Sequence, residues 1–162
     1  MGADRAITMR RLDPDKDIDL VAEALGWLSD FPKFMQDADK AWGRASVDEY
    51  LKMMKEDPQA DFGVFENGKL VAEICIALIR PNEYNSHLMM KRGANIDAVI
   101  IAAASVIKGL KEKGMVAGYS WVLKQNRGLQ RILELIGMRR DGLRQIKGQS
   151  HNQPLEWLRY AI

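Results

Sequence analysis

Residues 85–138 read NSHLMM (85–90), KRGANID (91–97), AVIIAAASVIKGLKEK (98–113), GMVAGYSWVLK (114–124) and QNRGLQRILELIGM (125–138), and the order of patterns in this stretch decides the fold. Residues 85–91 are short and mixed, as in a half-buried strand. Residues 92–97 contain Gly93 and two helix-capping types, Asn95 and Asp97, and make a turn. Residues 98–113 form a helix stopped by Gly114. From Ile96 onward Val99, Ile100, Ala103, Val106, Ile107 and Leu110 share one helical face, which is a packing stripe. Residues 115–124 are a second strand. Asn126 opens a short helix that stops at Gly137, with Leu129, Ile132, Leu133 and Ile136 at helical spacing. A turn that opens onto a helix presents unpaired N–H groups and the positive end of a dipole, so it can hold an anion.

Before this stretch, residues 6–12 read as a first strand. Asp13-Pro14-Asp15 starts a helix whose apolar positions are Ile18, Val21, Ala22, Leu25 and Leu28. Residues 29–45 are irregular and aromatic, with Phe31, Phe34 and Trp42, and Trp27 just ahead of them. These rings either wall a pocket or form a small core under a long loop. Ser46 and Glu49 make a capping box for a second helix, whose inward stripe is Val47, Tyr50, Leu51 and Met54 and whose end is Asp57-Pro58. Residues 61–66 and 69–78 are strands joined by Asn67-Gly68, a hairpin pair because both types accept positive φ. After residue 138 come a strand over 138–147 with a turn at Asp141-Gly142, a polar loop over 148–154, and a final strand over 155–162.

The chain of 162 residues is expected to be one domain, 1–162, with an ordinary globular balance of 47% hydrophobic and 28% charged residues. Its longest apolar run, 98–107, is far short of a membrane span, and its first residues carry no apolar signal. One cysteine, Cys75, excludes an internal disulfide and fits a reducing, cytoplasmic setting. The net charge of +2 is uneven: residues 1–66 hold 9 Lys/Arg against 15 Asp/Glu, and residues 67–162 hold 15 against 7. The basic half contains the anion turn, so a nucleotide cofactor or a nucleic acid would be drawn there, although a mixed solvated surface has the same composition. Two histidines and one cysteine make no metal pattern.

The strand, turn, helix, strand and Asn-led helix of residues 85–138 resemble the core of the GCN5-related N-acetyltransferases (the GNAT family). The resemblance extends over nearly the whole chain as β-α-α-β-β-β-α-β-α-β-β. It implies an α/β fold with a mixed, mostly antiparallel sheet of six or seven strands flanked by about four helices. It also implies that the sheet splays between its fourth and fifth strands and takes the acyl-pantetheine arm of coenzyme A in the gap. Leu88, Met89, Met90 and Lys91 would then hold the arm. Arg92, Gly93, Ala94, Asn95 and Asp97 would hold the pyrophosphate, with Asn126 either a helix cap alone or a cap that also contacts the cofactor. Arg92 and Gly93 match the family's turn, while two later glycine positions are held by Asn95 and Asp97. Leu133, before Glu134, stands where many members carry a proton-donating Tyr.

The family often takes its base from a central strand. Glu73, alone among Val71, Ala72, Ile74, Cys75 and Ile76, is the first candidate, either as a base or as the partner of a nearby Arg or Lys. His87 is the second. Cys75 has no His or Asp near it in sequence and reads as core. The resemblance implies acetyl-CoA as cofactor, a small-molecule or protein amine as acceptor and no membrane partner, and leaves a homodimer open. It leaves room for a non-catalytic binding or assembly protein, of phage origin for example, and the basic half for a nucleic-acid binder.

Overall fold

The structure is a computed structural model and describes residues 6–33, 36, 46–56, 59–147 and 154–162. Along the chain come β1 (Ile7–Arg11), α1 (Ile18–Gly26) running into a 3-10 turn (Trp27–Asp30), α2 (Val47–Glu56), β2 (Gln59–Glu66), β3 (Lys69–Arg80), β4 (Glu83–Met90), α3 (Ile96–Glu112), β5 (Ala117–Leu123), α4 (Arg127–Leu135), β6 (Arg139–Lys147) and β7 (Pro154–Ala161). The seven strands form one sheet in the order β1-β2-β3-β4-β5-β7-β6. Every neighbouring pair is antiparallel except β4 with β5. This is the mixed, mostly antiparallel architecture expected from the sequence.

Local chemistry accounts for the boundaries. Asn67 and Gly68 both take positive φ, 51° and 79°, and close the β2–β3 hairpin. Ser46 Oγ accepts from the Glu49 N–H at 3.2 Å, as the capping box requires. At the start of α1, Asp13 Oδ1 accepts from the N–H groups of Asp15 and Lys16, so residues 13–16 form a turn and the helix begins only at Ile18. Asp17 ties β1 to that turn: it accepts from both terminal nitrogens of Arg10 and from the Asp13 N–H, and these bonds hold its carboxyl down at about 2.

Helix α3 starts at Ile96, where the apolar stripe begins, because Asn95 caps it by accepting from the Asp97 N–H at 3.1 Å. One boundary corrects the sequence reading. Asp141-Gly142 is no turn: β6 runs straight through, with a bulge between Arg140 and Gly142. The bulge turns the Asp141 carboxylate onto Arg159, at 2.7 and 3.0 Å, whose guanidinium also stacks on the Tyr119 ring.

Each sheet face has its own core. Leu12, Val21, Ala24, Trp27, Tyr50, Met54 and Met89 pack under α1 and α2. Ala72, Ile74, Ile76, Val99, Ala102, Ala103 and Val106 pack on the opposite face under α3. Burying a large aliphatic side chain of this kind contributes about 1.5–3 kcal/mol, so both helical layers are held mainly by these faces. No described helix is long and apolar enough to cross a membrane. Phe34, Trp42, Asp57, Pro58, His151 and the loop over 148–153 lie outside the described residues.

Candidate functional site

β4 and β5 pair only from Glu83 with Ala117 to Ser86 with Ser120. Two hydroxyls close the last rung. Ser86 Oγ donates to the Tyr119 carbonyl at 3.3 Å, and Ser120 Oγ donates to the Ser86 carbonyl at 3.1 Å. Beyond that rung β4 stays on the β3 ladder as far as Met90, while β5 follows β7 through Trp121, Val122 and Leu123. The two strands therefore part like the arms of a V. The β5-facing edge of residues 87–90 is released from pairing with β5, and its backbone groups become available to something extended that lies in the gap.

The turn sits at the open end of the V. The Lys91 N–H still donates to the Val71 carbonyl at 2.9 Å, and the Ala94 N–H closes back on the Lys91 carbonyl at 3.0 Å. Gly93, at the third position of that turn, has φ +80°, which a side chain would strain; a Cβ there would meet no neighbour within 4 Å, so the backbone is open to an incoming group. Lys91, Arg92, Gly93 and Asp97 are exposed. Arg92 leans over the mouth of the gap, with Nη1 3.4 Å from the Asp30 carbonyl. Asp97 occupies the second helical position, where its charge suits the α3 dipole and opposes any bound anion.

A cavity of about 250 Å³ opens into the gap. One wall is Leu88, Met89, Met90 and Ile96, with Asn126, Gly128, Leu129 and Ile132 of the α4 start beside it. The other wall is Ala24, Trp27, Leu28 and Phe31 of α1 and its 3-10 turn. Leu88, Met89, Met90 and Asn126, all candidates from the sequence, are thus brought together, with the turn of Lys91, Arg92, Gly93, Ala94, Asn95 and Asp97 adjoining them. Asn126 caps α4 by accepting from the Leu129 N–H at 3.2 Å. Lys91 and Arg92 follow Met90 in sequence and Arg127 follows Asn126, but none of the three is among the residues that line the cavity. Trp27 and Phe31 serve both readings left open for the aromatic segment: they wall the cavity and pack in the α1–α2 core.

The two proposed bases lie elsewhere. Glu73 is 1% exposed and accepts from Tyr50 Oη at 2.9 Å. Tyr50, 1% exposed, also bonds Asp61, which is 2% exposed, so one phenol joins two buried carboxyls under α2. Register places Glu73 opposite Met89 and Cys75 opposite His87, so Glu73 and His87 share a sheet face on diagonal positions. Met89 stands between Glu73 and the cavity. His87 is half-buried and borders a second, smaller space of about 30 Å³ between the sheet, α3 and α4. Leu133 is buried in the α4 core, and no hydroxyl fills that slot. Cys75 is buried.

The sequence reading missed Tyr50 and Asp61 as the partners of Glu73. Tyr50 looks like an ordinary member of its helix stripe, and Asp61 like a polar strand start. It also missed Ser86 and Ser120 at the apex of the V. The polar Ser120 within Tyr119-Ser120-Trp121-Val122 was the available signal. Among the described residues no group of His, Cys, Asp and Glu could hold a metal ion.

Solved structures share this fold. A probable acetyltransferase from Staphylococcus epidermidis superposes with a TM-score of 0.79 at 15% identity, over 97% of this chain and 98% of that one. A GNAT-family acetyltransferase from Bacillus anthracis gives 0.72 at 21% identity, over 100% and 96%. A Salmonella typhimurium protein, assigned as an acetyltransferase and solved with its cofactor acetyl-CoA, gives 0.72 at 12% identity, over 97% and 93%. The chain has the GNAT fold. No family model and no curated protein matches it in sequence. Within the GNAT fold, the V between β4 and β5 and the turn ahead of α3 are the places where this chain's candidate residues gather.

Proposed function

We propose that this protein is an acyl-CoA-dependent N-acyltransferase that acts on an amine. The observation that supports the reading best is the parting of β4 from β5 beyond Ser86 and Ser120, directly beside an open Gly93 turn and a cavity. Coenzyme A needs a slot for an extended arm with two amides and a cationic cradle for its phosphates. Residues 87–90 supply the open strand edge. Gly93, Lys91, Arg92 and Arg127 supply the cradle, with the start of α3 behind it. The residues fit the group, with the Asp97 carboxylate as a charge the three cations must offset.

When bound, the cofactor supplies an activated acyl thioester. The chain's own residues would align the arm along β4, keep water out with Trp27, Phe31, Leu129 and Ile132, and leave the acceptor amine to approach the thioester from the rim of the cavity. Proton removal from the amine falls to Glu73 or His87. Glu73 reaches the acceptor only through Tyr50 or a water, since Met89 lies between it and the cavity. Leu133 is buried and has no proton to give, so this position would supply no acid to a departing thiolate.

A second reading has specific support: a GNAT-fold binding or assembly protein that no longer takes the cofactor. Asp97 at the turn, Leu133 in the tyrosine slot and a closed-in Glu73 all favour it. Calorimetric titration of the purified protein with acetyl-CoA separates the two. Micromolar binding, lost when Arg92→Glu is introduced and weakened by salt, supports the enzyme. Absence of binding by the natural protein and by Asp97→Ala alike removes the acyltransferase reading.

A further inference from the structure

We propose that the acyl group carried into the cavity is an apolar chain longer than acetyl; this deepens, and rests on, the acyltransferase reading above. The cavity crosses the sheet. Leu88, on the α3 face, and Met89, on the α1 face, both line it, so the space continues from the cofactor gap through to Ala24, Trp27, Leu28 and Phe31. An acetyl group adds only one methyl beyond its carbonyl carbon, so it would fill little of that space. The α1 section is walled by apolar side chains, with Ala24 and Trp27 buried and Leu28 and Phe31 half-buried.

That section is chemically one-sided. Among the described residues the lining holds no charged side chain; the Asn126 amide is engaged in capping α4, and the Trp27 indole adds a single N–H donor. The carboxyls that could meet an ammonium are shut away: Glu73 and Asp61 are buried under α2 against Tyr50. A cationic amine seated deep in this space would lose its hydration with no carboxylate opposite it, only the rings of Trp27 and Phe31. An alkyl or aryl chain loses nothing there. It is also the group that arrives first, since it is covalently attached to an arm lying in the gap. Each methylene buried is expected to tighten binding about fourfold. The acceptor amine then approaches from the rim rather than through the apolar section.

The test is calorimetry on the full chain with coenzyme A and with its acetyl, butyryl, hexanoyl and octanoyl thioesters. The expected result is a stepwise rise in affinity from acetyl upward, about fourfold per methylene, then a plateau when the section is full. Leu28→Trp, which fills the section from a half-buried position, should reduce the octanoyl thioester to the affinity of the acetyl one and leave coenzyme A unchanged. Should that variant not fold, as judged by its melting curve, Phe31→Ala should move the plateau to a longer chain. A flat series in a protein that does bind coenzyme A overturns this proposal and leaves the acyltransferase reading standing. No binding of coenzyme A itself overturns that reading as well. A flat series together with binding of benzylamine in the presence of coenzyme A, abolished by Leu28→Trp, also overturns it and assigns the apolar section to the acceptor.

Discussion

The β4–β5 seam has two halves that do opposite things with the same two strands. From Glu83 to Ser86 the strands pair, and the Tyr84 side chain crosses directly over Gly118. From His87 to Met90 they part, and the released edge faces a cavity and a cationic turn. In the paired half every group is committed: the ladder, the two serine hydroxyls and the tyrosine ring leave no room. In the parted half backbone, cavity and charge are all left available. A fold-determining region and a ligand-determining region can thus be adjacent rungs of one ladder, and substitutions in them should separate cleanly into stability effects and binding effects.

The largest expected effect breaks the paired half. A Cβ on Gly118 would lie 2.2 Å from Tyr84 Cζ and 2.3 Å from its hydroxyl, far inside contact distance. Tyr84 is buried in one core with Ile74 and Ile76. Gly118→Ala should cost about 2–3 kcal/mol in urea unfolding, at the upper end for overpacking. An unchanged midpoint would mean that the seam is not closed by this contact.

The next effect belongs to the parted half and should leave the fold almost alone. Asp97 lies exposed at the second position of α3, where pyrophosphate would approach. Removing its charge in Asp97→Ala should tighten coenzyme A binding about tenfold, or about 1.4 kcal/mol. The lost dipole interaction should reduce stability by only about 0.5 kcal/mol. Equal affinity in the two proteins would show that the carboxylate turns away from the ligand.

Smaller still is the stitch at the apex. Ser120→Ala removes one hydroxyl bond to the Ser86 carbonyl and should cost about 1 kcal/mol. It should also loosen the point from which the V opens. Faster amide exchange at residues 86–90, with no change at β2 and β3, is the expected signature. Uniform exchange across the sheet would assign Ser120 to general packing instead.

The parts of this seam differed in how far the sequence disclosed them. Helical and strand periods are local, so residues 85–138 gave up their elements, and Asn67-Gly68 its hairpin, from spacing alone. Asn126 as a cap and the Gly93 turn were also local. Two kinds of feature were not. The Asp141 bulge depends on Arg159, 18 residues away. The buried Tyr50–Asp61–Glu73 cluster depends on α2 folding over β2 and β3, which no period encodes. Glu73 was conspicuous in an apolar strand, but conspicuousness showed only that something must satisfy it. Whether the partner was solvent, substrate or a phenol from another helix is a tertiary fact. The cavity is tertiary for the same reason, since its two walls lie more than fifty residues apart, although the aromatic residues at Trp27 and Phe31 had marked one of them.

The smallest effect at neutral pH, and the one confined most tightly to the paired half, concerns the Tyr84 phenol. Burial raises its pKa above the ordinary 10.0, because the phenolate would have to form among apolar side chains without water. A raised folded-state value means that the neutral phenol favours the fold. Its contribution is fully present below pH 10 and is lost as pH rises past the unfolded value and through the folded one. Tyr84→Phe removes that linkage while keeping the ring over Gly118. The variant should match the natural protein from pH 6 to 9 and hold its fold to higher pH beyond 10. The gain is partial, because the Tyr160 phenol in β7 is also raised by burial and remains in place. Cofactor affinity at pH 8 should not move, since the ring lies on the paired side of Ser86. Alkaline unfolding at the same pH in both proteins would place the sensitivity in Tyr160 or elsewhere. A change in affinity at pH 8 would do more damage, for it would show that the two halves of the seam are mechanically coupled and that the division between folding rungs and binding rungs is too sharp.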